Sequence, residues 1–135
     1  MAELGATSTL TNELKTKIDQ KKGLTNVVGS SLGNGVGEVS IEIGVNKDHS
    51  AITLATMLAP SPDWYVALVN INMLEDEKFI SQKTINGQTC DAGTDSGITY
   101  QSNNAPTMPK QPITIIKTPP VGNGKVIATV MFTKL

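Results

Sequence analysis

The stretch AITLATMLAPSPDWYVALVNINM, residues 51–73, decides the fold. Two apolar runs of strand length, Ala51 to Leu58 and Trp64 to Met73, flank the turn signal Pro60-Ser61-Pro62. Proline fixes φ and removes a backbone donor, so neither run continues as a helix through that turn. Reading outward, Lys78 to Thr84 is a shorter run ending at the turn dipeptide Asn86-Gly87, and Ile113 to Lys117 and Lys125 to Thr133 add two more. In the last of these Val126, Ala128, Val130 and Phe132 share one face. Upstream, Val39, Ile41 and Ile43 alternate with Ser40 and Glu42, the period of a half-buried strand. Pro106, Pro109, Pro119-Pro120 and Gly122-Asn123-Gly124 punctuate the rest. One segment has helical period. Leu10, Leu14 and Ile18 make a single stripe, Ser8 or Thr9 can cap its start, and Lys21-Lys22-Gly23 suits its end, which predicts a helix over 9–22. A Gly/Ser/Asn-rich loop follows, over 29–37. Many short strands with frequent turns predict an all-β antiparallel sandwich with one short N-terminal helix, formed as a single domain over 1–135.

Composition removes several function classes. The chain is 39% hydrophobic and 17% charged, too apolar for a disordered chain. Its eleven basic residues are all Lys, against twelve acids, for a net charge of −1. With no Arg forks for phosphate or guanine, nucleic acid is not an expected partner. One cysteine, Cys90, permits no internal disulfide, and with the single His49 it permits no Cys/His zinc site. The amino terminus lacks the basic and apolar regions of a signal peptide. Two histories fit that terminus: a cytoplasmic protein, or a secreted one whose signal has been removed.

Catalytic machinery is hard to find. His49 sits in Lys47-Asp48-His49-Ser50, which reads as a turn, so it is expected to be an exposed loop histidine. Gly33-Asn34-Gly35-Val36-Gly37 has no Lys-Ser/Thr after it and leads into a strand, unlike a phosphate loop. The acids are more informative. Asp91-Ala92-Gly93-Thr94-Asp95-Ser96-Gly97 puts two carboxylates four residues apart, and its two internal glycines oppose a helix. A tight loop can bring both acids together with backbone carbonyls, an oxygen-rich set that suits Ca²⁺. The spacing is not that of an EF-hand, and Asp and Gly are also ordinary turn formers. A third acid, Asp63, is held in the stiff segment Pro60-Ser61-Pro62-Asp63 just before Trp64. Trp64 is expected to pack in or beside the core and so fix the loop that carries Asp63.

These two motifs are long and uncommon. Pro60-Ser61-Pro62-Asp63-Trp64-Tyr65-Val66 and Asp91-Ala92-Gly93-Thr94-Asp95-Ser96-Gly97-Ile98-Thr99-Tyr100 together resemble the spondin domain of F-spondin-like proteins. Ala2-Glu3-Leu4-Gly5, Met57-Leu58-Ala59, Ser102-Asn103, Thr107-Met108-Pro109 and Pro112-Ile113-Thr114 extend the resemblance over nearly the whole chain. The resemblance implies a C2-like antiparallel β-sandwich, secreted or extracellular, with Ca²⁺ at one end held by Asp63, Asp91 and Asp95. Three departures stand out. The family's cysteines after the Trp motif are absent over 70–77, Ala67 stands where a Gly is expected, and Cys90 replaces an aromatic or aliphatic residue. The family's domain also begins with further strands ahead of the Ala-Glu-x-Gly segment, which are not found here.

The expected function is a calcium-binding extracellular recognition and adhesion module without catalytic residues and without an organic cofactor. Its ligand is expected to be a protein or glycan. A C2-like membrane-surface binder, with Ca²⁺ bridging to lipid phosphate, is a second reading that the mild net charge does not favour. A building block that forms homo-oligomers through a sheet edge is a third.

Overall fold

The computed structural model describes residues 4–135. It is all-β, antiparallel and sandwich-like, with one helix, α1, over Ser8–Asp19. Strands β1 (Ala51–Met57), β2 (Trp64–Asn72), β6 (Gln88–Asp91) and β7 (Thr114–Ile115) form a four-stranded sheet in the order β1-β2-β6-β7. The short strands β3 (Leu74–Glu75) and β4 (Lys78–Phe79) pair with each other, as do β5 (Gln82–Asn86) and β8 (Thr129–Thr133).

The Pro60-Ser61-Pro62 segment joins β1 to β2 as expected. Ser61 hydroxyl donates to Leu58 O (2.6 Å) and accepts from Trp64 N–H (3.2 Å), which clamps the two strand ends across the turn. The strands then pair antiparallel from Met57↔Tyr65 to Ala51↔Asn72, with a register shift between Ile52 and Leu54. The strand β2 is the centre of the core. Trp64, Val66, Ala67 and Leu68 are buried on it, joined by Ile52, Met73, Cys90 and Val121. The expected burial of Trp64 is met: it is 3% exposed, and its ring meets Tyr100 edge-on at 5.5 Å.

Four local expectations are corrected. The alternating segment 39–43 forms no strand: among the described residues it makes no backbone hydrogen bond, and Val39, Ile41 and Ile43 are exposed. Alternation supplies a face, but a strand also requires a neighbour to complete its ladder, and among the described residues no ladder bond to 39–43 is made. The helix ends earlier than predicted, and its N-cap is Thr7, without a side-chain cap bond. The run 78–84 is broken at Ile80-Ser81 into β4 and β5. Asn86-Gly87 is no turn. Asn86 ends β5, β6 starts at Gln88 in the other sheet, and Gly87 passes so close to the Val66 side chain that a Cβ there would collide with it. Glycine is used here for close approach between two sheets.

His49 is also more enclosed than expected. Asn46 and His49 exchange both backbone hydrogen bonds (3.3 and 3.2 Å), and His49 Nε2 lies 3.3 Å from Lys21 O. The residue is half-buried, with Nδ1 unpartnered. This turn precedes β1, whereas Asp63 follows it, so the histidine and the acids lie at opposite ends of that strand.

Candidate metal centre

The β2–β6 pairing brings the two acidic motifs together. Trp64 is opposite Asp91, and Ala92 N–H donates to Asp63 O (3.3 Å), so the start of β2 and the end of β6 meet at one end of the sheet. From there the loop 93–97 runs antiparallel to 105–111. Gln111 N–H donates to Gly93 O (2.8 Å), Thr107 N–H to Thr94 O (2.9 Å) and Ser96 N–H to Ala105 O (2.9 Å). Glycine is obligatory at two points of this loop. Gly93 has φ +72 and its missing Cβ would strike the Gln111 carbonyl, while a Cβ on Gly97 would meet Pro62 and Ser102.

Asp63 is the hub. It is 0% exposed, and its Oδ2 accepts three hydrogen bonds: from Thr94 N–H (2.6 Å), Thr94 hydroxyl (3.1 Å) and Asp95 N–H (3.1 Å). Its Oδ1 is buried and has no hydrogen-bond partner among the described residues. Asp95 is nearly as buried, at 4% exposed, and spends both oxygens on backbone: Oδ1 accepts from Gly97 N–H (2.7 Å) and Oδ2 from Ala105 N–H (2.8 Å). Asp91 is half-buried, and its Oδ1 accepts from Gly93 N–H (2.7 Å).

The electrostatics follow from this crowding. Burial raises the Asp91 carboxyl above its ordinary range, the Gly93 N–H works against that rise, and the charges of Asp63 and Asp95 add to it. Burial likewise raises the neighbouring Cys90 thiol, and Tyr65, opposite it in the ladder, works against that rise.

The three acids singled out in the sequence are therefore electrostatic neighbours. They are not a finished coordination shell: among the described residues, no group of three or more His, Cys, Asp or Glu side chains stands at metal-holding spacing. Each acid instead organises backbone. Sequence reading missed the residues that complete this arrangement, namely Thr94, which bonds Asp63 twice, and Ala105, whose N–H anchors Asp95. Thr94 carried a faint signal in lying between two acids, whereas Ala105 carried none. No helix among the described residues is long and apolar enough to cross a membrane.

Comparison with known proteins agrees with the motifs. Human Spondin-2 is 34% identical over 83 residues, which is 62% of this chain and 25% of that protein. Spondin-1 of Rattus norvegicus is 40% identical over 75 residues, 55% of this chain and 9% of that protein. The matched segment thus spans a quarter or less of these curated relatives. The sequence profile of the Spondin_N family matches residues 1–124, nearly the full length, and the chain belongs to that family.

Proposed function

We propose that this chain is a calcium-binding recognition and adhesion module that works outside the cell, without catalytic activity, and that Asp63, Asp91 and Asp95 hold the ion. The observation that carries the reading is Asp63 Oδ1, a carboxylate oxygen shut away from water with nothing to bond. Buried ionised oxygens are costly unless they are paired or coordinate a metal. Asp91 brings a carboxylate with one oxygen not engaged by Gly93, and each Asp95 oxygen keeps lone-pair capacity beyond its single N–H bond. An all-oxygen set with loop carbonyls nearby suits Ca²⁺ better than zinc or copper, which favour His and Cys. When bound, the ion would supply the positive charge that three crowded acids lack.

Membership of the Spondin_N family supports the extracellular setting and the recognition role. It does not name the ligand; a protein or a glycan is the class proposed, presented to a sandwich end where loops gather. The only histidine lies at the far end of β1, so no imidazole base stands beside the acids. Calorimetric titration of CaCl₂ into protein stripped with EDTA tests the reading. Saturable heat is expected from the unmodified chain, and none from Asp63→Asn with its near-UV circular dichroism intact. A flat titration of the unmodified, folded chain refutes it.

A further inference from the structure

Among the described residues, the strand β8 is paired on one side only. Its register with β5 runs from Gln82↔Thr133 to Asn86↔Thr129, extended at the two ends by Gly87 N–H to Ala128 O and Lys134 N–H to Ser81 O, both 2.9 Å. Bonded residues alternate along an antiparallel ladder. Ala128, Val130, Phe132 and Lys134 therefore turn their backbone groups toward β5, and Thr129, Met131 and Thr133 turn theirs outward. Among the described residues those outward groups have no backbone partner, and all three side chains are exposed, Met131 at 59%. Natural sheet edges are guarded by charge, proline, a bulge or a cover. Residues 126–133 contain neither a charge nor a proline.

We propose that this edge is an interface between two copies of the chain, in which β8 pairs antiparallel with itself about a two-fold axis through Met131. The segment Thr129-Val130-Met131-Phe132-Thr133 is close to its own mirror sequence. In that register Thr129 meets the partner's Thr133, Val130 meets the partner's Phe132, and Met131 meets the partner's Met131. Threonine pairs and aromatic–β-branched pairs are favourable cross-strand neighbours. Lys134 falls opposite the partner's Ala128, so no like charges oppose each other. A two-fold contact of this kind is self-limiting and closes as a dimer.

Light scattering over a hundredfold range of protein concentration, with melting curves to verify folding, tests the proposal. The unmodified chain is expected to reach the mass of a dimer. Thr129→Lys/Thr133→Lys places like charges opposite each other at both ends of the interface and should weaken dimerisation at least tenfold. Thr129→Glu/Thr133→Lys places opposite charges there and should keep the dimer. Met131→Pro removes an outward N–H but no bond to β5, and should also weaken dimerisation. A strict monomer at every concentration overturns the proposal. So does a dimer that the like-charge variant leaves intact, or equal loss in both charged variants.

Discussion

The acidic loop and the segment 24–45 are built from opposite materials and end in opposite states. The loop 91–97 with 60–65 and 105–111 is polar and glycine-rich, yet it holds two nearly fully buried carboxylates and a dense set of backbone bonds. The segment 24–45 carries Leu24, Val27, Val28, Leu32, Val36, Val39, Ile41 and Ile43, yet all eight are exposed and neither helix nor strand forms there among the described residues. Apolar content alone gave the second region neither a strand nor burial, because burial needs a surface to bury against. Carboxylates ordered the first because each supplies acceptors to donors that would otherwise be orphaned.

Two glycines sharpen this contrast. Gly93 and Gly35 both adopt left-handed φ, +72 and +69, but a Cβ on Gly93 would meet the Gln111 backbone while one on Gly35 meets open space. Gly93→Ala should cost about 2–6 kcal/mol, combining backbone strain and overpacking. Gly35→Ala should cost only the strain, about 1 kcal/mol. Chemical denaturation of the two variants measures both, and equal costs would mean that the acidic loop is no better packed than the open one. Trp64→Leu, which removes ring volume from beside Asp63, should cost ~3 kcal/mol. A loss under ~1 kcal/mol would detach the tryptophan from the loop's support.

A smaller effect is expected from Asp91→Asn. The Asp91 carboxyl is raised in the folded chain, so the folded state holds its proton more tightly than the unfolded state does. That contribution is favourable at low pH and is lost as pH rises from the unfolded pKa through the folded one. In EDTA, Asp91→Asn should therefore raise the melting temperature above that region and flatten its pH dependence. Calcium affinity of the unmodified chain should fall as pH drops through the same window, since the ligand must shed its proton. A pH-independent affinity would remove Asp91 from the site. Smallest of all, Ile41→Ser should change stability by no more than about 0.5 kcal/mol, as expected of an exposed position. A loss of ~2 kcal/mol would show that 39–43 is buried in solution.

The same contrast separates what was legible in the sequence from what was not. Strands β1 and β2 were legible because prolines bound two apolar runs, and each end of the hairpin could be read locally. The acids were legible because Asp with Gly in stiff segments is a local pattern. Their partners were not: Thr94 reaches Asp63 across thirty-one positions and Ala105 reaches Asp95 across ten, and nothing local sets that register. The strand predicted over 39–43 failed for the converse reason, since alternation describes one chain and a ladder takes two. At Gly87 a turn dipeptide was read where packing between sheets was the cause.

The central claim is that the buried, unbonded oxygen of Asp63 marks a calcium site, and thermal melting with Ca²⁺ against EDTA tests it most directly. A ligand that binds only the folded state adds about 2.7 kcal/mol at a hundredfold excess over Kd. The melting temperature should rise by several degrees with Ca²⁺, fall back on EDTA, and lose most of that dependence in Asp95→Asn. Superimposable curves with Ca²⁺ and EDTA for the unmodified chain would contradict the account.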